Sequence, residues 1–304
     1  MYRYKIYGLV LESEIEFEEF LRIDENSSIK TDVYVRSGIV EPEITAFLDK
    51  IGKPSRNHYI SMDYSFFRND YAYFLIKNGN EIIIQEVGPK ATWTNTSHFA
   101  GFAMSMLMIQ RRMLPIHCSI VTDGNYATMI SGSSGAGKST VTRKLLDRGF
   151  KLMADDIGAV KMVVDKAIAY PAFPYQKMCR DEVLKRNLDI NSMLYIGGVR
   201  DKFLVPAVDV FVDEPKELKS MFVLAKSDIQ ELEERKLSGF EHLLAFKASN
   251  FLVRNMGLWM DDAEYEKEYL KVAGKCPAYQ IVRPEHGDLA DKIADYIIKN
   301  KGYQ

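Results

Sequence analysis

Apolar positions change their spacing near residue 90. Before that point the runs are short, aromatic and β-branched. YKIYGLVLES and TDVYVRSG predict strands. YAYFLIKNGNEIIIQEV predicts a hairpin, with Asn78-Gly79-Asn80 supplying the positive-φ residues of a tight turn. A Gly-Pro pair at Pro89 then separates the strand pattern from TNTSHFAGFAMSMLMIQRRM. That stretch predicts a buried helix, N-capped by its Thr/Ser cluster and ending in Arg111 and Arg112, its methionines serving as core filler. The division is therefore residues 1–90, a β-rich domain for packing or substrate docking, and residues 91–304, where helices and strands alternate.

In the second part HCSIVTDGNYATMISG predicts a hairpin turning at Asp123-Gly124, and STVTRKLLDR a helix with Gly149 at its C′ position. The strand entering that helix would then run antiparallel to its predecessor, unlike a doubly wound nucleotide fold. FKLMADD is a short buried strand ending at two aspartates. IAYPAFPYQKMCRDEV reads as a loop around Pro171 and Pro174, carrying Lys177 and Arg180 into a helix near Asp181. YIGGVRDKFLVP reads as a turn between strands, and KELKSMFVLAK and PAYQIVRP as further strands. FEHLLAFKASNFL, DDAEYEKEYLKVAGK and GDLADKIADYIIKN are helical, and Trp259 with its aromatic neighbours is expected to pack. The class is α/β with mixed sheets.

Gly132-Ser133-Ser134-Gly135-Ala136-Gly137-Lys138-Ser139 fits the phosphate-binding pattern G-x-x-x-x-G-K-[ST]. Its glycines let backbone N–H groups turn inward, the following helix adds its positive end, and Thr140 continues the cradle. Lys138 is placed to reach the β- and γ-phosphates and Ser139 to ligate magnesium, so ATP and Mg2+ are the expected cofactors. Asp155 and Asp156 stand at a strand tip, where a carboxylate anchors the metal in such sites. A pair permits one to hold metal and the other to take a proton from an attacking hydroxyl, although the second also suits a turn before Gly158. His117 would lie on the neighbouring strand, within reach of both.

A formal charge of −2 argues against nucleic acid held by bulk electrostatics. Cys118, Cys179 and Cys276 form no metal or disulfide spacing, and FAGFAMSMLMI is too short to span a bilayer. The early acidic residues do not suit a signal peptide, so a cytoplasmic protein with no membrane or nucleic-acid partner is expected. A homo-oligomer is compatible with all of this.

LPIHCSIV, SGSSGAGKST and RGFKLMADDIGAV, in that order and spacing, resemble the HPr kinase/phosphorylase family, whose fold is shared with phosphoenolpyruvate carboxykinases. The resemblance implies a P-loop core of that type over Leu114 to Val160, behind the β-rich N-terminal domain. It further implies that Asp155 acts as general base on a serine hydroxyl, that Asp156 helps hold the metal, and that His117 supports them. The bifunctional members carry a glutamate where this chain has Thr140, and a Leu-Glu-Ile-Arg-Gly-Leu-Gly type segment that is absent here. The nearest basic cluster holds Arg200 and Lys202, either of which can neutralise charge on a moving phosphoryl group. YGL near the start of the N-terminal half is closer in appearance to HPr-kinase-like proteins of peptide-modification clusters, including lasso-peptide tailoring kinases. The leading expectation is a kinase acting on a Ser or Thr hydroxyl of a peptide or protein. Kinases of free amino acids or sugars and a nucleotide-responsive binding module remain alternatives, with carboxykinase chemistry a weaker one.

Overall fold

The computed structural model describes residues 1–25, 27–88, 97–197 and 201–301. Pro89, Arg200 and Gly198 fall outside them, as do the Thr94–Thr96 cap positions. Three sheets account for the described strands. The first has eight strands and is built from residues 2–86. YKIYGLVLES forms two of them rather than one, because Tyr7 and Gly8 adopt φ of 53° and 73° and reverse the chain. The Asn78-Gly79-Asn80 hairpin forms as expected, Lys77 pairing with Glu81. Runs such as FLI and III are apolar at every position because both faces of this sheet are covered. Helix Glu41–Lys50, not among the elements expected above, packs Ile44 and Leu48 on Phe66, Leu75 and Ile83. On the other face Phe74, Ile76, Ile82 and Ile84 join Met104, Leu107 and Met108 in a core shared with the second sheet. The Met-rich helix, Met104–Gln110 after a wider π-type turn at Phe99–Ala103, is thus core filler. Arg111 and Arg112 follow its end, and Arg112 pairs with Asp262.

The second sheet is organised about one long strand, Lys216–Ser227. Strand Ala127–Gly132 runs parallel along one edge of it and Ala278–Pro284 parallel along the other. Outward from Ala127–Gly132 come Cys118–Thr122, antiparallel, and then Lys151–Ala154. The Cys118–Gly132 hairpin thus has the expected direction, but its turn spans residues 123–126 rather than two. The Asp123 carboxylate accepts from the N–H groups of Asn125 and Tyr126, and this longer turn replaces the type I′ geometry. Helices Lys138–Leu146 and Ala290–Asn300 cover one face, burying Val141, Leu145, Ile293 and Ile297 against Ile130 and Phe222. Gly149, at φ 90°, ends the first of these. Its N–H reaches Leu146 O and the N–H of Phe150 reaches Leu145 O, the pattern of a C′ glycine.

A third, three-stranded sheet joins Tyr175–Cys179, Lys202–Pro206 and Leu194–Gly197. YQKMC is therefore a strand and not part of a loop; only the stretch around Pro171–Pro174 connects. The alternation of Gln176 and Met178 inward with Lys177 and Tyr175 half-exposed is what builds it.

Gly132 couples strand and loop. It adopts φ 140°, and a Cβ there would lie 2.2 Å from the carbonyl oxygen of Leu224 on the long strand. Gly149 has a positive φ but open space around it. Gly132→Ala should therefore cost about 3 kcal/mol in urea denaturation and Gly149→Ala about 1 kcal/mol. Equal losses would mean that the contact with Leu224 does not constrain the loop.

Candidate active site

The candidate site assembles at the ends of three neighbouring strands. Strand Ala127–Gly132 leads through Ser133–Gly137, where Gly135 and Gly137 take φ of 83° and 108°, into helix Lys138–Leu146. The Lys138 ammonium folds back over the loop. It donates to Gly132 O at 2.7 Å, to Ser133 O at 3.4 Å and to His117 Nε2 at 3.1 Å. None of these acceptors is charged, and burial lowers its pKa from the ordinary lysine range.

His117 sits just before strand Cys118–Thr122. Its N–H donates to Ser249 O at 2.7 Å, and its carbonyl accepts from Ser131 Oγ at 3.1 Å. Nδ1 lies 3.0 Å from the backbone carbonyl of Asp156. A carbonyl can only accept and an ammonium can only donate, so the ring carries its proton on Nδ1 and offers a lone pair to Lys138 from Nε2. That is the neutral imidazole. Burial, which lowers the His117 pKa, agrees.

The two aspartates follow strand Lys151–Ala154 and diverge. Asp155 is buried. Its Oδ1 accepts from Ser119 Oγ at 2.6 Å and its Oδ2 from the backbone N–H of Lys177 at 2.8 Å. Burial outweighs these bonds and raises its pKa. Asp156 has φ 70°, which turns its side chain another way, a conformation aspartate tolerates. Burial alone would raise its pKa too, but the Lys177 ammonium at 2.8 Å, with Lys202 farther off, holds it well below the usual carboxylate range. Two neighbouring carboxylates are thus driven apart in proton affinity, the arrangement expected where one must bind a proton and the other must not.

One cavity of about 270 Å³ collects these groups. Of the residues singled out from sequence, His117, Ser134, Gly135, Gly137, Lys138, Ser139, Thr140, Asp155, Asp156 and Lys202 line it. Gly132 and Ser133 line the space next to it, and Ala136 is buried beneath the loop. Arg200 lies outside the described residues. Three groups escaped selection. Ser119 is two residues from His117, on the strand paired with Lys151–Ala154. Lys177 could be noticed only as a cation in a supposed loop. Arg283 ends strand Ala278–Pro284 and donates from Nε to Ala136 O at 3.0 Å and from Nη2 to Gly135 O at 3.2 Å. It braces the loop from outside, and its signal was only a basic residue at a strand end.

Magnesium is bound by hard oxygens, commonly one or two from protein with the rest from phosphate and water. The Ser139 hydroxyl and the Asp156 carboxylate both line the cavity, and Asp156 Oδ1, 3.8 Å from His117 Nδ1, makes no close hydrogen bond there. That donor set fits the ion. Among the described residues no cluster of three or more His, Cys, Asp or Glu forms a metal-binding group.

Lys177→Met should leave Asp156 half-buried without its cation and cost about 3 kcal/mol at pH 7. A depressed folded-state pKa stabilises above the unfolded carboxylate value and loses that effect as pH falls toward the depressed one. The difference between wild type and variant should therefore narrow below about pH 4 in urea titrations. A gap independent of pH would show that the pair is not what the lysine stabilises.

No family model matches the chain, and no curated protein matches it. Among solved structures, the Hpr(Ser) kinase/phosphatase from Coxiella burnetii is similar over 61% of this chain and 94% of its own, at 14% identity and a TM-score of 0.31. That is a distant likeness and assigns no residue a role.

Proposed function

We propose that the chain is a kinase that transfers the γ-phosphoryl group of ATP to a serine or threonine hydroxyl of a peptide or protein. The observation that carries this reading is the shared cavity: a phosphate-loop ammonium, Lys138, and a carboxylate pair of split proton affinity open onto one space. A hydrolase needs no second carboxylate there, whereas alcohol transfer needs a group to receive the hydroxyl proton.

In this reading the loop N–H groups and Lys138 hold the triphosphate. The acceptor oxygen forms a bond to the γ-phosphorus as the bond to the bridging oxygen breaks, and ADP leaves. The acceptor proton passes to Asp155, whose raised pKa suits it to receive one. Ser119 and the Lys177 N–H keep that carboxylate in place. Lys202 lines the same cavity and makes no direct ion pair among the described residues, so its charge, which also acts on Asp156, can meet the transferring group. Magnesium, where Ser139 and Asp156 would hold it, supplies charge neutralisation of the phosphate oxygens. His117 positions Lys138 and the Asp156 backbone and, being neutral, adds no competing charge.

Lys138→Ala should abolish ATP-dependent transfer in a labelled-phosphate assay; transfer at wild-type rate would rule out the loop assignment. Asp155→Asn should keep nucleotide binding in calorimetry but lower kcat by at least about 100-fold. The wild-type rate should also rise with pH through a value above the ordinary carboxylate range, since the ionised Asp155 is the active form, and the asparagine variant should lose that limb. Should Asp156→Asn give this pattern instead, the two roles are exchanged.

A further inference from the structure

A phosphate loop has a direction. The Lys138 ammonium lies over Gly132 and Ser133, so the terminal phosphate belongs at that end; the helix start at Ser139 and Thr140 receives the phosphates nearer the nucleoside. Two further cavities adjoin the first, one at each end. One of about 280 Å³ shares Gly137, Thr140 and Arg283 with it and lies on the nucleoside side. The other, about 530 Å³, shares His117 and Ser134 and is also walled by Ser133; because Asp155 lines only the first cavity, the acceptor hydroxyl enters there and the larger cavity is left for the chain that carries it.

The walls of this larger cavity are mostly apolar, from the long strand and from helix Gly239–Ala248 with the residues after it. No acidic side chain lines it. Apart from His117 its only ionisable group is Arg254, which is exposed and has no hydrogen-bond or carboxylate partner among the described residues. The helix wall continues outward. Ala248 lines the cavity, and Leu244 and Phe240 follow at four-residue steps on the same face. Phe240 is 64% exposed and stacks at 6.4 Å on Trp259, itself 51% exposed. An apolar track with one unpaired cation thus leads from the surface to the γ-phosphate end of the loop.

Resting on the kinase reading above, we propose that this cavity and track dock the acceptor as an extended polypeptide, and that Arg254 selects an acidic residue close to the phosphorylated serine or threonine. Charge complementarity argues for the acidic residue: a lone guanidinium in a wall without acids attracts a carboxylate and repels basic sequences. The exposed aromatic pair argues for a chain over a free metabolite, because it offers contact area outside the cavity where only a longer ligand reaches.

The test uses the full chain, ATP and synthetic serine peptides in which a single aspartate or lysine is moved through the positions flanking the serine. The wild type should prefer aspartate at one position. Arg254→Glu should raise KM for that peptide about tenfold, equivalent to about 1.4 kcal/mol, with KM for ATP unchanged, and should favour the lysine peptide instead. Arg254→Lys should retain most of the preference. Binding of the aspartate peptide should also change the fluorescence of Trp259, and Trp259→Phe should remove that change. A preference indifferent to residue 254, or a change in KM for ATP alone, would overturn the assignment of the cavity. ATP turnover dependent on Lys138, with transfer to free hydroxy amino acids and none to peptides, would sink the acceptor inference and leave the kinase reading standing. No transfer to any hydroxyl would sink both.

Discussion

Two adjacent carboxylates cannot be withdrawn from water together without compensation, and Lys177 is what compensates them. Its backbone N–H binds Asp155 and its ammonium binds Asp156, so a single residue serves both through different atoms. The split in proton affinity follows directly. A neutral dipole leaves Asp155 under the influence of burial, whereas a full positive charge overrides burial at Asp156. Because Lys177 belongs to the third sheet, the docking of that sheet over strand Lys151–Ala154 is a condition for the site. The Ala172 N–H donates to Met153 O and the Val212 N–H to Leu152 O, so the chain on either side of the third sheet is fastened to the strand that ends at the aspartates.

The Ser133–Gly137 loop depends in a similar way on the long strand Lys216–Ser227. Gly132 is pressed against its Leu224 carbonyl, and the strand on its far edge carries Arg283, whose guanidinium holds the carbonyls of Gly135 and Ala136. Those carbonyls are turned to Arg283, and the Ala136 N–H closes the loop on Ser133 O. One strand thus sets the height of the loop on one side and, through its neighbour, its orientation on the other. A loop before a helix start is otherwise only a backbone conformation; here one side chain 147 positions away, Arg283, and the Leu224 carbonyl hold it.

Much of this could be read in the sequence where a local rule decides the outcome. Gly149 ends its helix because glycine takes a φ of 90° without strain, and Asn78-Gly79 turns its hairpin because both residue types tolerate positive φ. The reading failed where the decisive partner is distant. Helix Glu41–Lys50 is an exception: Ile44, Phe47, Leu48 and Ile51 have helical spacing and Pro42 lies in its first turn, so a local signal was present there. YQKMC looked like loop because of Pro171 and Pro174, yet its alternation is satisfied only once Lys202–Pro206 pairs with it. Trp259 was expected to pack, but it lies half exposed against Phe240 and over Lys247, since a single chain cannot say which aromatic is covered by what. Within the site, the loop and the aspartates were legible as motifs. Ser119, Lys177 and Arg283 were not, because each owes its place to pairing between strands rather than to spacing along one.

The charges around the cavity show what is missing from it. Asp155 and Asp156 are answered by Lys177 and by hydrogen bonds, Glu182 by Arg186, and Arg283 spends its donors on backbone carbonyls. The cavity is lined by four acids, Asp155, Asp156, Asp181 and Glu182, and by four bases, Lys138, Lys177, Lys202 and Arg283, so its formal charge balances and no net excess draws an anion in. What differs is commitment: Lys138 hydrogen-bonds only neutral acceptors, whereas Lys177 is held by Asp156. In the proposed reading Lys138 is therefore the cation left to meet a triphosphate, and the exposed Arg254 next door would play the same part for the acceptor.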